Sequence, residues 1–348
     1  MKRNRIILIA VLALAATCIY FVMNSGKGTV RKELRDFAFA DTTSVSKIFL
    51  ADKTLKQVTL TKNADGTWTV NGKFKARQDA ITNLLRTIHG ISVREPVGNK
   101  AKEYIVKSLI TGSIKCEVYV GNDIKRLYYI GSETPDQLGT YMLLADPSSG
   151  ENSTEPFVME IKGFNGYLTT RYSPDQNEWR DKSAFACYVP DIRSVKVEHL
   201  GEPQNSFIVT QSPSMEYGLQ SVTGQKLNFD TTQVRQYLSY YIRLGFMDFI
   251  TDMDKANKDS ILRSPAAHTI TLQDATGKKN VVKLYLKEGD GVLEQDTSKQ
   301  NGQTYDVDNM YALVNEGQDF VLVQYFVFGK LLQTPEYFTR KRQTAIAP

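Results

Sequence analysis

Ala80-Ile81-Thr82-Asn83-Leu84-Leu85-Arg86-Thr87-Ile88 and, 153 residues on, Gln233-Val234-Arg235-Gln236-Tyr237-Leu238-Ser239-Tyr240-Tyr241 decide the fold. Ile81, Leu84, Leu85 and Ile88 stand at i, i+3, i+4 and i+7, the apolar stripe of an amphipathic helix. Val234, Tyr237, Leu238 and Tyr241 repeat that spacing. Each helix runs into an alternating pair, Ile91/Val93 and Leu244/Phe246.

The strands around the two helices repeat in the same order. Lys47–Ala51, Gln57–Thr61 and Thr67–Asn71 precede the first helix, and Ser194–Glu198, Ser206–Thr210 and Glu216–Gln220 precede the second. After the first helix, Ile114, Cys116, Val118 and Val120 alternate with Lys115, Glu117 and Tyr119, the period of a half-buried strand. Leu127–Ile130, Thr140–Leu144 and Phe157–Ile161 follow. Thr269–Gln273, Val281–Leu286, Thr304–Val307 and Phe320–Tyr325 follow the second helix. Strands that run in groups, not alternating one by one with helices, exclude a parallel nucleotide-binding sheet.

The other decisive stretch is Ile6 to Met23, eighteen residues without a charge, Pro or Gly, preceded by the basic Met1-Lys2-Arg3-Asn4-Arg5. As a helix it covers ~27 Å, close to the ~30 Å hydrocarbon core of a bilayer. Positive charge before the span predicts a cytoplasmic amino terminus and a periplasmic body on the inner membrane. The bulky Tyr20-Phe21-Val22-Met23 disfavours a cleaved signal peptide, and Ala15-Ala16-Thr17-Cys18 is a poor lipoprotein signal. The sequence therefore reads as α+β, with an N-terminal single transmembrane helix followed by two tandem, internally duplicated domains of mainly antiparallel sheet, each with one or two helices. The expected layout is a cytoplasmic basic segment 1–5, anchor 6–23, stalk 24–44, first repeat 45–172, connector 173–190, second repeat 191–340 and basic tail 341–348.

Composition removes several function classes. The net charge of +5 owes much to the leader: without its three basic residues, 40 Lys and Arg face 38 Asp and Glu. That is too little for a nucleic-acid partner, which needs a dense basic face. His89, His199 and His268 are the only histidines and none lies within ligand spacing of another, so each reads as structural and no metal or other cofactor is expected. Phosphate-cradling glycine loops and a G-x-S-x-G elbow are absent. Asp248, Asp252 and Asp254 read as a solvated acidic turn.

Cys116 shares the apolar face of its strand, as a buried thiol does. A Cys116–Cys187 disulfide and two free thiols both remain open to the sequence. Trp179-Arg180-Asp181 is the most suggestive short stretch. Either it clasps a sugar or a peptide, or Trp179 pins the connector to the first domain while Arg180 pairs with a carboxylate. The second reading fits the general behaviour of such aromatics better.

Lys47-Ile48-Phe49-Leu50-Ala51-Asp52-Lys53, Trp68-Thr69-Val70-Asn71-Gly72, Gly139-Thr140-Tyr141, Gly163-Phe164-Asn165-Gly166-Tyr167-Leu168 and Trp179-Arg180-Asp181 resemble a family of bacterial envelope proteins called domain of unknown function 4340. The resemblance covers Lys47 to about Pro190 and reaches the second half by pattern alone. It implies a membrane anchor, repeated α+β units and an accessory role beside ABC-type export systems, and it carries over no catalytic residue. The expected function is accordingly a membrane-tethered, non-enzymatic scaffold or accessory subunit that binds another envelope protein. The alternative is a module that binds cell-wall glycan or another envelope polymer.

Overall fold

The computed structural model describes residues 35–289, 297–300 and 303–339, and the chain divides into two compact units between Asp181 and Lys182. In the first unit the elements are β1 (Lys47–Ala51), β2 (Gln57–Lys62), β3 (Trp68–Val70), β4 (Phe74–Lys75), helix α1 (Gln78–Gly90) and β5 (Ile91–Pro96). Helix α2 (Asn99–Gly112), β6 (Ile114–Val120), β7 (Asp123–Glu133), β8 (Thr140–Ala145), β9 (Phe157–Ile161) and the single-turn α3 (Gln176–Trp179) complete it. The strands form one antiparallel sheet in the order β4-β3-β2-β1-β6-β7-β8-β9-β5.

Register puts one apolar row across this sheet. Ile48 faces Leu60 and Val118, and Leu50 faces Val58 and Cys116. Helix α1 buries Ile81, Leu84 and Ile88 on that row, its stripe being three fully apolar positions in register with the sheet. Each such side chain contributes roughly 1.5–3 kcal/mol by leaving water, so Leu84→Ala alone costs about 2–5 kcal/mol. Because successive strand residues point to opposite faces, Leu143 and Val158 look away from Met142 and Met159. Helix α2 covers that other face with Ile105 and Leu109, making a small separate core.

The second unit contains β10 (Ser183–Phe185), β11 (Ile192–His199), β12 (Phe207–Gln211), β13 (Tyr217–Ser221), α4 (Thr231–Ser239), β14 (Leu244–Gly245) and β15 (Asp248–Phe249). Helix α5 (Lys255–Arg263), β16 (His268–Asp274), β17 (Lys279–Glu288), β18 (Thr297–Gln300), β19 (Gln303–Val314), β20 (Asp319–Gln324) and the short α6 (Tyr325–Phe328) follow. Asp230 caps α4, its carboxylate accepting from Thr232 N at 2.6 Å and Gln233 N at 3.3 Å. The large sheet runs β13-β12-β11-β16-β17-β19-β20-β15 with β18 added on β19, while β10 and β14 form a separate pair. Strand for strand this is the order of the first sheet, with β11 in the place of β1 and β16 in the place of β6. Strand β4 has no named counterpart.

The expected α+β class led by a transmembrane helix needs correction. The described chain is mostly antiparallel strand, arranged in three sheets. Its longest helices, α1 and α2, have 13 and 14 residues, and among the described residues no helix is long and apolar enough to cross a membrane. The run Ile6–Met23, on which the anchor was read, lies outside the described residues, as do segments 1–5 and 341–348. The physical reason for the sheet-dominated outcome is pattern. Alternating β-branched and aromatic residues fill more of the chain than helical stripes do, so the sheets supply the cores and the helices cover them.

The described parts of two segments expected to lie outside the repeats belong to the units. Within the stalk 24–44, Phe37 is fully buried in the first core and Phe39 N donates to Ile88 O at 3.0 Å. Of the connector 173–190, residues up to Asp181 pack with the first unit and Ser183–Phe185 pairs within the second.

Candidate functional site

A groove of about 510 Å³ lies on the first unit, between α2 and the segment after β8. On α2, Asn99, Glu103, Val106 and Ile110 fall near one line, since residues three and four apart stack on a helix face. Val106, Ile110 and Leu143 of β8 form the floor, and Ile110 is 58% exposed. Asn152, Ser153 and Thr154 form the far wall.

That wall is held by its own hydrogen bonds. The Asp146 carboxylate accepts from Ser148 N at 2.7 Å and Ser149 N at 2.9 Å. These bonds, and the one from the Ser148 hydroxyl above all, hold the Asp146 carboxyl down to about 2. Ser153 N donates to Leu144 O at 2.8 Å, and Lys102 on α2 reaches Glu155 at 2.6 Å. Helix and wall are thus tied across one end of the groove. An apolar floor with a polar, pre-formed rim suits the side chains of a protein partner.

A second recess, of about 200 Å³ and mostly polar, lies at the start of α1 in the same unit. Arg77, Asp79, Asn83, Arg171, Glu178 and Trp179 are among its lining residues. The Arg77 guanidinium donates to Asp79 at 2.8 Å, which holds the Asp79 carboxyl below its usual range and raises Arg77. Arg171 Nη1 donates to Asn83 Oδ1 at 3.1 Å and Thr87 Oγ1 at 3.0 Å, and its guanidinium lies 4.2 Å from the Phe164 ring centre.

The three residues singled out beforehand sit beside this recess in structural roles. Trp179 is 4% exposed, and its indole N–H donates to Ser173 O at 2.8 Å. Arg180 is buried over the Phe74 ring at 3.8 Å and donates to Asn177 at 3.2 Å. Asp181 pairs with Lys75 at 2.9 Å. The backbone joins in, Arg77 N donating to Trp179 O and Asp181 N to Lys75 O, both at 2.8 Å. The stretch pins its segment to β4 and α1, and a buried indole offers no face to a sugar.

Both described cysteines are free thiols, so the Cys116–Cys187 bond is not formed. Cys116 is fully buried, and burial pushes its thiol up to about 12. Tyr128 and Tyr172 lie against it with their hydroxyls 3.3 Å apart. A thiol that stays protonated and cannot meet water is no nucleophile.

Sequence spacing kept the histidines apart, but pairing of β11 with β16 sets His199 opposite His268. Their Nδ1 atoms are 2.9 Å apart and their rings meet edge to face. His199 Nε2 lies 3.0 Å from Gln333 O, a pure acceptor, so this nitrogen carries its proton. In the neutral pair His199 Nδ1 then accepts from His268 Nδ1–H. Burial first, and His199 second, lower the His268 imidazole to about 4. His89 bonds Ala40 O at 2.9 Å through Nδ1. Among the described residues no three His, Cys, Asp or Glu side chains gather as a metal site.

The groove residues carried a faint sequence signal. Val106 and Ile110 next to Ile105 and Leu109 widen the apolar arc of α2 beyond what one buried stripe requires. No protein-family model matches the chain, nor does any curated protein or solved structure.

Proposed function

We propose that this chain is a non-enzymatic binding protein that takes apolar side chains of another envelope protein into the groove beside α2. The carrying observation is the half-exposed Ile110 on a floor shared with Val106 and Leu143, walled by a hydrogen-bonded rim. An accessory role beside an ABC-type transport component, and kinship with the family called domain of unknown function 4340, belong to the same proposal and rest on the quoted motifs.

Groove docking is favoured over strand addition because the sheet edges are blunted. Strands β4 and β15 are two residues long. Strand β5 has a bulge between Val93 and Glu95, ends in Pro96 and has Arg94 tied to Asp136 at 3.0 Å. Beside β13, Leu227 N donates to Leu219 O at 2.9 Å, occupying that edge. The glycan-binding alternative has exposed rings in Tyr104 and Tyr188, but Trp179, on which it rested, is buried.

A photo-reactive phenylalanine at position 110 of the full chain tests the reading in the native host. The expected result is a discrete cross-linked envelope protein, lost in Val106→Asp and absent when the probe sits at the exposed turn residue Leu55. Identical products from positions 110 and 55, or none from either, would refute it.

A further inference from the structure

We infer that the polar recess at the start of α1 binds a small zwitterion, a free α-amino acid, with its carboxylate on Arg171 and its ammonium on Glu178. The argument begins with which charges are already spent. Arg77 and Asp79, both in the lining, neutralise each other as a pair at 2.8 Å. Arg171 is fixed by Asn83, Thr87 and the Phe164 ring, and all three are neutral. Only one of its terminal nitrogens is used in these bonds, so the rest of its five-donor fork stays open to an acceptor. A planar guanidinium held in place and lacking a carboxylate is pre-organised for one, because the side-chain ordering has been met before the ligand arrives.

Glu178 lines the same recess from the exposed side of α3; no hydrogen bond or ion pair joins its carboxylate to a described side chain, and its charge acts at longer range on Arg77. The recess therefore presents one guanidinium and one carboxylate that form no ion pair, with the hydroxyl of Thr170 and the amide of Asn83 also in its lining. A bare anion would satisfy Arg171 and be repelled by Glu178, and a bare cation would meet the reverse. A molecule bearing both charges satisfies both. A volume of about 200 Å³ admits an amino acid and excludes a folded chain. Arg171 also joins α1 to the segment after β9, so occupancy would stiffen that junction.

Calorimetric titration of the full chain with single L-amino acids, their N-acetyl forms and their amides tests the inference. Tryptophan fluorescence supplies a local signal, because Trp179 forms part of the wall. At least one free amino acid is expected to bind, and removal of either charge from it should weaken binding about tenfold or more, as loss of a charge-assisted hydrogen bond does. Glu178→Gln should weaken the free amino acid by the same factor and leave the N-acetyl form unchanged. Glu178 is exposed and unpaired, so that variant keeps the fold and its urea midpoint verifies this. Arg171→Gln, which removes the positive charge, should abolish the distinction between the acid and its amide. Absence of binding by every amino acid tested would overturn the inference, and so would binding that ignores acetylation and Glu178→Gln. Neither result touches the groove beside α2, which the cross-link at position 110 reads separately.

Discussion

Acid should loosen the second unit through one imidazole, and the sign follows from which form is buried. His268 is held neutral in the fold, its affinity for a proton lowered from the usual 6.5 to about 4 by burial and by His199, with Glu202 opposing. In the unfolded chain the ring takes its proton near pH 6.5. Above that pH neither state is charged and stability is whole. As pH falls from 6.5 toward 4 the unfolded chain binds a proton that the fold refuses, and stability drains away; below about 4 both are protonated and the loss levels off. A full shift would be worth ~3 kcal/mol at ~1.4 kcal/mol per tenfold change in proton affinity. The ring is partly open to solvent, which reduces the expected loss to ~2 kcal/mol. The assay is urea unfolding between neutral and about pH 4.5, followed by circular dichroism for both units and by fluorescence for the first unit, which holds Trp68 and Trp179, both tryptophans of the chain. Carboxyls already held low, such as Asp136 and Asp146 near 2, titrate beneath this window. His268→Gln keeps a donor for His199 and removes the titration, so its stability should be flat where the parent loses ~2 kcal/mol. An equal loss in His268→Gln would show that the ring is not responsible.

Two further expectations concern packing. A Cβ at Gly131 would lie 2.6 Å from Leu109 Cδ2 and 3.1 Å from Tyr141 O, so Gly131→Ala should push α2 off β7 and cost about 1–3 kcal/mol, read as a lower urea midpoint. The same change should lower the cross-linking yield at position 110, since α2 forms one side of the groove. Thiol labelling followed by peptide mass mapping should modify the half-exposed Cys187 in the native chain and leave Cys116 untouched until denaturant is added. Modification of Cys116 at the native rate of Cys187 would contradict its burial.

The strands were legible where alternation was clean. Ile48 and Leu50, or Val195 and Val197, announce a buried face two residues at a time, and α1 and α4 show their stripes directly. What local pattern cannot supply is the partner of a strand. Strand β1 pairs with β6 across two helices, and β11 pairs with β16 some seventy residues away. The His199–His268 contact depends entirely on that pairing, so ligand-spacing arguments along the chain could not find it. The separate β10–β14 pair was hidden for the same reason, each strand being too short to show a period. Trp179 was conspicuous by type, but composition does not say whether an indole faces water. Its hydrogen bond to Ser173 and the backbone bonds around it decide that, and all of them depend on how β4 and α1 receive the segment.

The shared strand order also separates what the fold requires from what it does not. Two units with one topology begin with the same faces to cover, so a feature present in only one of them is not required by the fold. In the first unit α2 lays Ile105 and Leu109 on Leu143 and Val158 and still has Val106 and Ile110 to spare. In the corresponding place α5 fully buries no side chain and sets Lys258 5.5 Å from the Phe320 ring. The sheet face below α5 is aromatic, with Tyr311 stacked near Phe320 at 5.2 Å. A helix that covers its sheet with a lysine stem has no apolar surplus to offer. The surplus on α2 therefore has no sheet face of its own unit left to cover, and this is the physical ground for testing the proposed docking at Ile110 rather than on the second repeat.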